Sequence, residues 1–534
     1  MTRPTPPPSR PLVPAQGSST SPASRPGAVL AVMCLAVFTV NVDTTIVNVT
    51  LPTLVAELGA TTRDLQWIVD SYLLVFAALV LAGGSLSDRL GRRAVLVAGL
   101  VVFGLGNAVA AFADTPGQLI AARAFTGIGA AAVFPTTLSI LTQVFRERAA
   151  RAKAIGLWGA STGLAVAFGP ITGGALLEGF WWGSTFLVKL PIALVAIGLV
   201  LTLIPESSDP AAPRLDVPGL VLSALALAAL VYTIIEAPVH GWSSAESLLG
   251  FAAAAVLLLL FVQRERTTAE PMLDLRLFAD RRFTAAALAI TVAFFALFGF
   301  IFLITQYFQF LRGYSPLETG LRILPVALSV ALGSLAGTAL VVRLGNKLVV
   351  TTGLLSLAAS YAWVSTASAT TSYREIAGQM VLLGLGMGLT SAPATESIMG
   401  AVQTDKAGIG SAVNDATREV GGTLGVAVIG SVFASLYASA VEASPGGVPE
   451  DAVRQAGESV GAAFTVAGAL PEGPGAALRA AAEAGFFDGL QAGCLVASGV
   501  ALAGAVVAAL ALPSRPTEEP AGLPEQAGRV GTAA

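Results

Sequence analysis

Charged residues, cysteine and histidine are all scarce in this chain of 534 residues. Only 12% of the residues are charged, whereas soluble domains average about 25%. The net charge of -3 speaks against nucleic-acid binding, because proteins that bind nucleic acids carry basic patches. The two cysteines, Cys34 and Cys494, lie in apolar segments at opposite ends of the chain, and the single histidine is His240. We therefore expect neither a disulfide framework nor a metal site.

Hydrophobic sequence is what the chain has in abundance, with 54% hydrophobic residues and a mean hydropathy of +0.76. Apolar runs of about 18 residues or more recur throughout, and each can cross a hydrocarbon core about 30 Å thick. There are about fourteen such runs, and the short alternating strands of a transmembrane barrel are missing from the sequence. The sequence predicts an all-α polytopic membrane protein with about 14 transmembrane helices.

Turn signals and charged segments divide the chain into two halves with an insertion between them. The predicted order is a disordered cytoplasmic tail at 1–27, a six-helix half at 28–204, two inserted helices at 205–265, a second six-helix half at 266–512 and a cytoplasmic tail at 513–534. The second half contains an extracellular loop at 437–486, rich in Ala, Gly, Glu and Pro.

Lysine and arginine are divided unevenly between the two sides of this layout. With the N-terminus inside, 21 of the 30 basic residues fall in inner segments and six in outer segments. The remaining three, Arg123, Lys189 and Arg418, fall inside spans. Since cytoplasmic loops carry the excess of Lys and Arg, both termini are predicted to be cytoplasmic.

A weak internal repeat links the two halves. The sequence SDRLGRR (Ser87–Arg93) follows the second span, and VVRLGNK (Val341–Lys347) follows the tenth. Both contain Arg-Leu-Gly at a predicted cytoplasmic hairpin. Repeated halves around a central site are typical of secondary transporters.

Several spaced motifs carry a resemblance to a known family. They are NVDTTIVNVTLP (Asn41–Pro52), GGSLSDRLGRR (Gly83–Arg93), RAFTGIGAA (Arg123–Ala131) and GPITGG (Gly169–Gly174). With further matches they span about residues 28 to 512 in the family's order. The chain resembles the major facilitator superfamily, and within it the fourteen-helix drug:proton antiporters.

The resemblance implies two motifs that control access. The gating motif consists of Gly84, Asp88, Arg89, Gly91, Arg92 and Arg93. The antiporter motif consists of Gly169, Pro170, Gly173 and Gly174; it is expected to seal one gate, and a plain packing groove is the alternative. We expect Asp88 to precede the third helix, whose N-terminus stabilises an acid, and to act as a latch.

Charged residues inside spans are functional candidates, because an unpaired charge in the membrane is costly. Asp43, Asp70 and Arg123 lie at similar depth, so we expect them to form one cluster near the cavity wall. Burial disfavours a charged carboxylate and a nearby arginine favours it, so such a cluster can act as a proton switch. The alternative is a static ion pair between helices. Arg418 and Glu419 are expected to form an interhelical latch.

Further polar residues are candidates to line the cavity. One face of the first span carries Asn41, Thr44, Thr45 and Asn48, and the opposite face carries Thr39, Asp43 and Thr50; one face can line the cavity and the other can bond to neighbouring helices. Lys189 stands where the family has a neutral asparagine. We expect it either to snorkel to the outer surface or to place a fixed positive charge in the cavity.

These features predict a secondary active exporter of hydrophobic small molecules or drugs, driven by proton antiport through alternating access. No nucleotide-binding motif occurs, so we expect the proton gradient to supply the energy without a cofactor. The high Ala and Gly content fits a bacterial source, which places the protein in the cytoplasmic membrane. The expected partners are a small-molecule substrate, protons and the lipid bilayer, with the protein a monomer and not an enzyme. The alternatives are a narrow exporter of one endogenous metabolite, such as an antibiotic or amino acid, and a transport-dead sensor or scaffold.

Overall fold

Helices account for most of the chain in the computed structural model, which describes residues 26–208, 215–402, 407–443 and 448–513. The predicted tails lie almost entirely outside these residues. The described helices are α1 (Pro26–Leu58), α2 (Thr62–Leu90), α3 (Arg92–Ala111), α4 (Pro116–Val144), α5 (Arg148–Gly179), α6 (Ser184–Leu187), α7 (Lys189–Leu203), α8 (Val217–His240), α9 (Ala245–Thr267), α10 (Arg281–Gln306), α11 (Pro316–Leu344), α12 (Asn346–Val364), α13 (Tyr373–Ala401), α14 (Ala407–Glu442), α15 (Glu450–Glu458), α16 (Val460–Ala469) and α17 (Glu472–Ala511).

Fourteen helical segments in the described ranges are long and apolar enough to cross a membrane. Helices α6 and α7 together form one of them, Ser184–Leu203, and a π-helical turn at Tyr307–Leu311 extends α10. Helices α15 and α16 are short and lie between α14 and α17. The prediction of an all-α polytopic protein with fourteen spans is confirmed.

Helices α2 and α11 show how closely the two halves correspond. Thr61 caps α2 and Ser315 caps α11, each in a reciprocal capping box with the acid three residues later. Both helices contain 29 residues and end at a glycine with positive φ, Gly91 at 108° and Gly345 at 81°. Such backbone favours glycine, and a single residue therefore connects each helix to the next. The repeat predicted from Arg-Leu-Gly extends over a whole helix.

The helix packing follows the same correspondence. In the first half α1 packs on α5, and α4 packs on both α2 and α3. In the second half α10 packs on α14, and α13 packs on both α11 and α12. The halves meet along two seams, α2 against α14 and α5 against α11, and the inserted helix α8 contacts both α2 and α14. The insertion therefore covers one of the two seams.

The two faces of the bundle differ in how closely the halves approach. At the face that contains the α1–α2 turn, a Cβ on Gly174 of α5 would lie 2.5 Å from Leu317 Cα of α11. Towards the face that contains the α2–α3 turn, a Cβ on Gly156, Gly159 or Gly163 of α5 would meet no atom within 4 Å. The halves are therefore closed at the α1–α2 face and apart along α5 at the α2–α3 face.

The segment predicted as a loop at 437–486 is largely helical. Helix α14 continues to Glu442 and α17 already begins at Glu472, with α15 and α16 between them. The Tyr437 hydroxyl donates to the carbonyl oxygens of Ala456 and Ser459, at 3.0 and 3.2 Å. A Cβ on Gly461 would lie 2.7 Å from a methyl carbon of Val55. The small Ala and Gly residues of this segment allow its helices to pack across the α1–α2 face. The same composition had indicated a loop.

Candidate transport site

An ion cluster joins three helices inside the first half. Arg123 of α4 donates from Nη1 to Asp43 Oδ2 of α1 at 2.5 Å, and Lys189 of α7 donates to the other carboxylate oxygen. The exposed fractions of the Asp43, Arg123 and Lys189 side chains are 0%, 1% and 0%. The cluster lies in the interior of the half, whereas the sequence predicts the cavity wall for Asp43 and Arg123.

Neighbouring groups hold both cations in place. The guanidinium of Arg123 lies 4.3 Å from the centroid of the Tyr72 ring, and its Nε donates to the Ile68 carbonyl at 3.2 Å. The Lys189 ammonium lies 4.6 Å from the centroid of the Phe186 ring. These contacts extend the cluster to α2 and α6, so five helices depend on its geometry.

Lys189 neither snorkels nor stands alone in the cavity, because it pairs with Asp43. Both expectations drawn from the sequence are therefore wrong. Pro191 has no N–H to donate to the Leu187 carbonyl, so one backbone hydrogen bond is missing where α6 meets α7, although Val188 keeps helical φ and ψ of -57° and -26°. Lys189 follows Val188, and its side chain is fully buried in the bundle.

Asp70 is separate from this cluster, contrary to the prediction of one Asp/Asp/Arg group. It is fully buried on α2, and neither carboxylate oxygen has a hydrogen-bond partner among the described residues. One turn earlier, Gln66 donates to the Ala427 carbonyl of α14 at 3.2 Å. One turn later, Leu73 lies 3.6 Å from the position of a Cβ on Gly422, also in α14. Asp70 therefore lies in the seam between the halves.

Helix α14 carries a second polar group that the sequence interpretation only partly identified. Asn414, Asp415, Arg418 and Glu419 follow one another at helical spacing. Asn414 Oδ1 accepts from the Thr395 hydroxyl of α13 at 2.9 Å. Neither Arg418 nor Glu419 forms an ion pair with another helix among the described residues, so the structure shows no ionic interhelical latch there. The signal that could have identified the group is two acids four residues apart in an apolar span.

The Arg418 guanidinium lies 5.2 Å from the centroid of the Phe294 ring of α10. Asp415 Oδ2, Arg418 Nε and Glu419 Oε2 are buried and have no hydrogen-bond partner within the described residues. Phe294 itself is only partly buried. An aromatic face and unpartnered polar atoms thus lie together on the second half.

The polar residues of α1 do not all line the cavity. Asn41 is partly exposed and donates to its own helix at Val37, 2.8 Å away. Thr45 is buried against α5, where its hydroxyl lies 3.4 Å from the Ala165 carbonyl. Asn48 is also buried, whereas Asn41 and Thr44 on the same face are partly exposed.

The antiporter motif lets α5 approach two helices at once. A Cβ on Gly169 would clash with Thr45, and one on Gly173 would lie 2.7 Å from Ile46 Cγ1, both in α1. On the other side Gly174 meets α11, and Gly320 of α11 packs on the Pro170 carbonyl. The packing and gating roles are compatible, because the same run of residues forms the closed α5–α11 contact.

The gating motif forms a network within the first half. Asp88 pairs with Arg92 at 2.6 Å and accepts from the Ser139 hydroxyl of α4 at 3.0 Å. Arg92 Nε donates to the same hydroxyl at 2.7 Å. The placement of Asp88 before the third helix is wrong, because α2 continues to Leu90 and Asp88 occupies its last turn. The network therefore compensates an acid at a helix C-terminus.

Another acid stabilises the start of α3. Glu206 accepts from the Arg93 backbone amide at 3.1 Å and pairs with the Arg93 side chain at 3.6 Å. Arg89 is exposed, and Gly84 makes an ordinary contact with Pro135 of α4. The segment after α7 therefore fastens the α2–α3 turn.

Across the described residues, no group of three or more His, Cys, Asp or Glu side chains is arranged to hold a metal ion.

Comparison with known proteins identifies the family. A model of the Major Facilitator Superfamily matches residues 33–426. The multidrug efflux pump LfrA of Mycolicibacterium smegmatis is 36% identical over 494 residues, which cover 92% of this chain and 98% of LfrA. The methyl viologen resistance protein SmvA of Salmonella typhimurium is 35% identical, covering 86% and 92%. The tetracenomycin C resistance and export protein of Streptomyces glaucescens is 31% identical, covering 94% and 95%.

Solved structures agree on the fold. A bacterial homologue of the human lysosomal transporter Spinster, in an inward-facing and occupied conformation, has a TM-score of 0.66 and 16% sequence identity. The match covers 92% of this chain and 98% of that one. With the family model and the relatives spanning most of its length, this chain belongs to the Major Facilitator Superfamily and is a multi-pass membrane transporter rather than an enzyme.

Proposed function

We propose that this protein exports hydrophobic small molecules or drugs across a bacterial cytoplasmic membrane in exchange for protons. Both termini are cytoplasmic in this proposal, so the described conformation opens towards the cytoplasm. The two halves of one chain supply both sides of the cavity, and a monomer suffices. The proton gradient replaces any bound cofactor.

The observation that carries the proposal is the unpartnered, buried carboxyl group of Asp70 in the α2–α14 seam. Burying a charged carboxylate without a partner costs free energy, and binding a proton removes that cost. When α2 and α14 separate at the α1–α2 face, water reaches Asp70 and the proton exchanges with that side. When cargo enters from the other face, it favours release of the proton from Asp70. Protonation and the conformational change are coupled in this way.

Several features support hydrophobic cargo. Phe294 and the unpartnered polar atoms of Asp415, Arg418 and Glu419 combine an apolar surface with a few polar groups, as small-molecule sites do. Relatives named for multidrug efflux and methyl viologen resistance cover most of the chain. The seam between the halves gives such cargo a path by alternating access.

A second candidate is a narrow exporter of one endogenous metabolite. The relative named for tetracenomycin C resistance and export favours it, since that match covers 94% of this chain. A panel of structurally unrelated dyes and antibiotics separates the candidates. Transport of many members supports multidrug export, and transport of one chemical series supports the narrow exporter.

The decisive experiment uses the full chain in proteoliposomes with a pH-sensitive dye inside. With a pH gradient imposed, cargo should accumulate and protons should move in the opposite direction, and a protonophore should abolish both. Accumulation without proton movement would reject the antiport mechanism. The absence of any transport across the panel, with the protein correctly inserted, would favour the sensor or scaffold.

A further inference from the structure

Lys189 is a buried charged residue that the proposed function does not yet use. The charged groups facing it are Asp43 of α1 and Arg123 of α4. Helix α3 carries no charge beyond its first two residues, and α6 presents the Phe186 ring. Tyr72 of α2 lies on the far side of Arg123. Lys189 therefore belongs to a closed group of two cations and one carboxylate.

The charges of this group do not cancel. Asp43 balances one cation, and with all three groups ionised one positive charge remains in the interior of the bundle. An excess buried charge is costly, and losing one proton relieves that cost. Arginine keeps its proton under all ordinary conditions, whereas a lysine ammonium can release one. Lys189 is thus the cation of the cluster that can become neutral.

We propose that Lys189 carries a proton during transport, in addition to Asp70. One N–H bond of the ammonium breaks, the electron pair stays on Nζ, and the proton passes to water. The neutral amine still donates a hydrogen bond to Asp43, which remains paired with Arg123. A proton from the opposite side later restores the ammonium. This inference rests on the proposed function and adds a second proton carrier to it.

A missing backbone hydrogen bond in the sixth span gives this residue a means of changing its access to water. Lys189 lies at the junction of α6 and α7, where Pro191 has no N–H to donate to the Leu187 carbonyl. Because this bond is already absent, the first turn of α7 can shift relative to α1 at a lower cost than a fully bonded helix. Thr50 of α1 and Thr185 of α6 share a hydrogen bond at 3.4 Å one turn before Lys189 and provide polar atoms along such an opening.

Two substitutions test the proposal in proteoliposomes. Lys189→Arg keeps a positive charge that cannot be released, and Lys189→Gln keeps a donor without a charge. The number of protons exchanged per cargo molecule is obtained from the membrane potential at which pH-driven flux stops. Each variant should exchange one proton fewer than the wild type. Lys153→Arg, an exposed substitution on α5, should leave the number unchanged.

The outcomes separate this proposal from the proposed function. If the wild type exchanges no protons, the antiport mechanism itself fails. If the wild type exchanges protons and Lys189→Arg exchanges the same number, Lys189 only positions Asp43 and the proposal is overturned. If Lys189→Arg fails to insert, the number of protons that Lys189→Gln exchanges per cargo molecule tests the proposal by the same criterion.

Discussion

Helices α2 and α11 end in the same backbone turn, but the two halves place different chemistry on it. In the first half Arg92 follows the turn and joins Asp88 and Ser139 in a charged network. In the second half Asn346 follows the turn and bonds to Ser397 and the Pro393 carbonyl without any charge. The turn itself therefore needs only the glycine and a polar side chain that bonds to the adjacent helix, α4 in the first half and α13 in the second.

The interiors of the two halves also differ in the charged residues that they bury. The first half buries the pairs of Asp43 with Arg123 and Lys189. At a comparable place in the second half, the Gln379 side chain donates to the Trp363 carbonyl at 3.2 Å. Each ion pair that the described residues form within the second half has at least one exposed side chain, and the buried Asp415 of α14 forms no ion pair among the described residues. The fully buried ion pairs of the described residues therefore lie in the first half, where we propose that they serve transport.

The first prediction concerns the contact that closes the α1–α2 face, and its effect is measured as transport. Gly174→Ala places a Cβ 2.5 Å from Leu317 Cα in the described conformation, which is closed at this face. Overpacking of this kind costs about 1–3 kcal/mol, which shifts the equilibrium away from this conformation by about 5- to 150-fold. Transport measured in proteoliposomes should fall by a similar factor.

Gly499→Ala is the matched control, because its Cβ would meet no atom within 4 Å. It should transport like the wild type. Equal activity of Gly174→Ala and Gly499→Ala would show that the α5–α11 contact does not limit transport.

The next prediction separates the two buried acids of the first half. Asp43→Asn leaves Arg123 and Lys189 without a counter-charge, and breaking a buried pair costs about 3–5 kcal/mol. Asp70→Asn removes no partner. In thermal unfolding of purified protein, Asp43→Asn should lower the midpoint strongly and Asp70→Asn only slightly. A larger loss for Asp70→Asn would contradict the described pairing.

A smaller effect is expected at the α2–α3 turn. Asp88→Asn weakens the bonds to Arg92 and Ser139, and a typical hydrogen bond contributes about 0.5–1.5 kcal/mol. The unfolding midpoint should fall modestly. Asn346→Ala, the corresponding change in the second half, should have a similar effect on stability, and transport should respond more to Asp88→Asn. An equal response in transport would mean that the charge at the first turn has no part in gating.

The smallest effect belongs to Glu206, which stabilises the start of α3 from the surface. Glu206→Gln removes a negative charge next to a helix N-terminus, an interaction of about 0.3–1 kcal/mol. Salt should screen the interaction, so the difference in unfolding midpoint from the wild type should shrink at high ionic strength. A difference independent of salt would argue for lost packing instead.

The sequence alone predicted the fourteen spans and the hairpins at Gly91 and Gly345, because hydropathy and glycine act locally. From a rise of about 1.5 Å per residue it also expected Asp43 and Asp70 at similar depth and therefore in one cluster. Depth does not determine which way a side chain points. Asp70 lies between Gln66 and Leu73, which both contact α14 more than 300 positions away in the chain, and no local pattern specifies that neighbour.

Lys189 is a second residue whose distant neighbours the local sequence does not specify. Its position near a span end fits snorkelling, whereas its burial is matched by the pairing with Asp43, which precedes it by 146 residues. Asp88 was misplaced for a different reason. One glycine is enough for the turn at Gly91, so α2 runs two residues beyond Asp88.

The most direct test of the account compares two activities of Asp70→Asn. In counterflow exchange, where labelled cargo replaces unlabelled cargo without a gradient, the variant should match the wild type, because the halves can still rock. In uptake driven by a pH gradient, the variant should accumulate clearly less cargo than the wild type, because the seam has lost its proton-carrying group. Gradient-driven accumulation by Asp70→Asn at the wild-type level would contradict the central claim that this residue couples protons to transport.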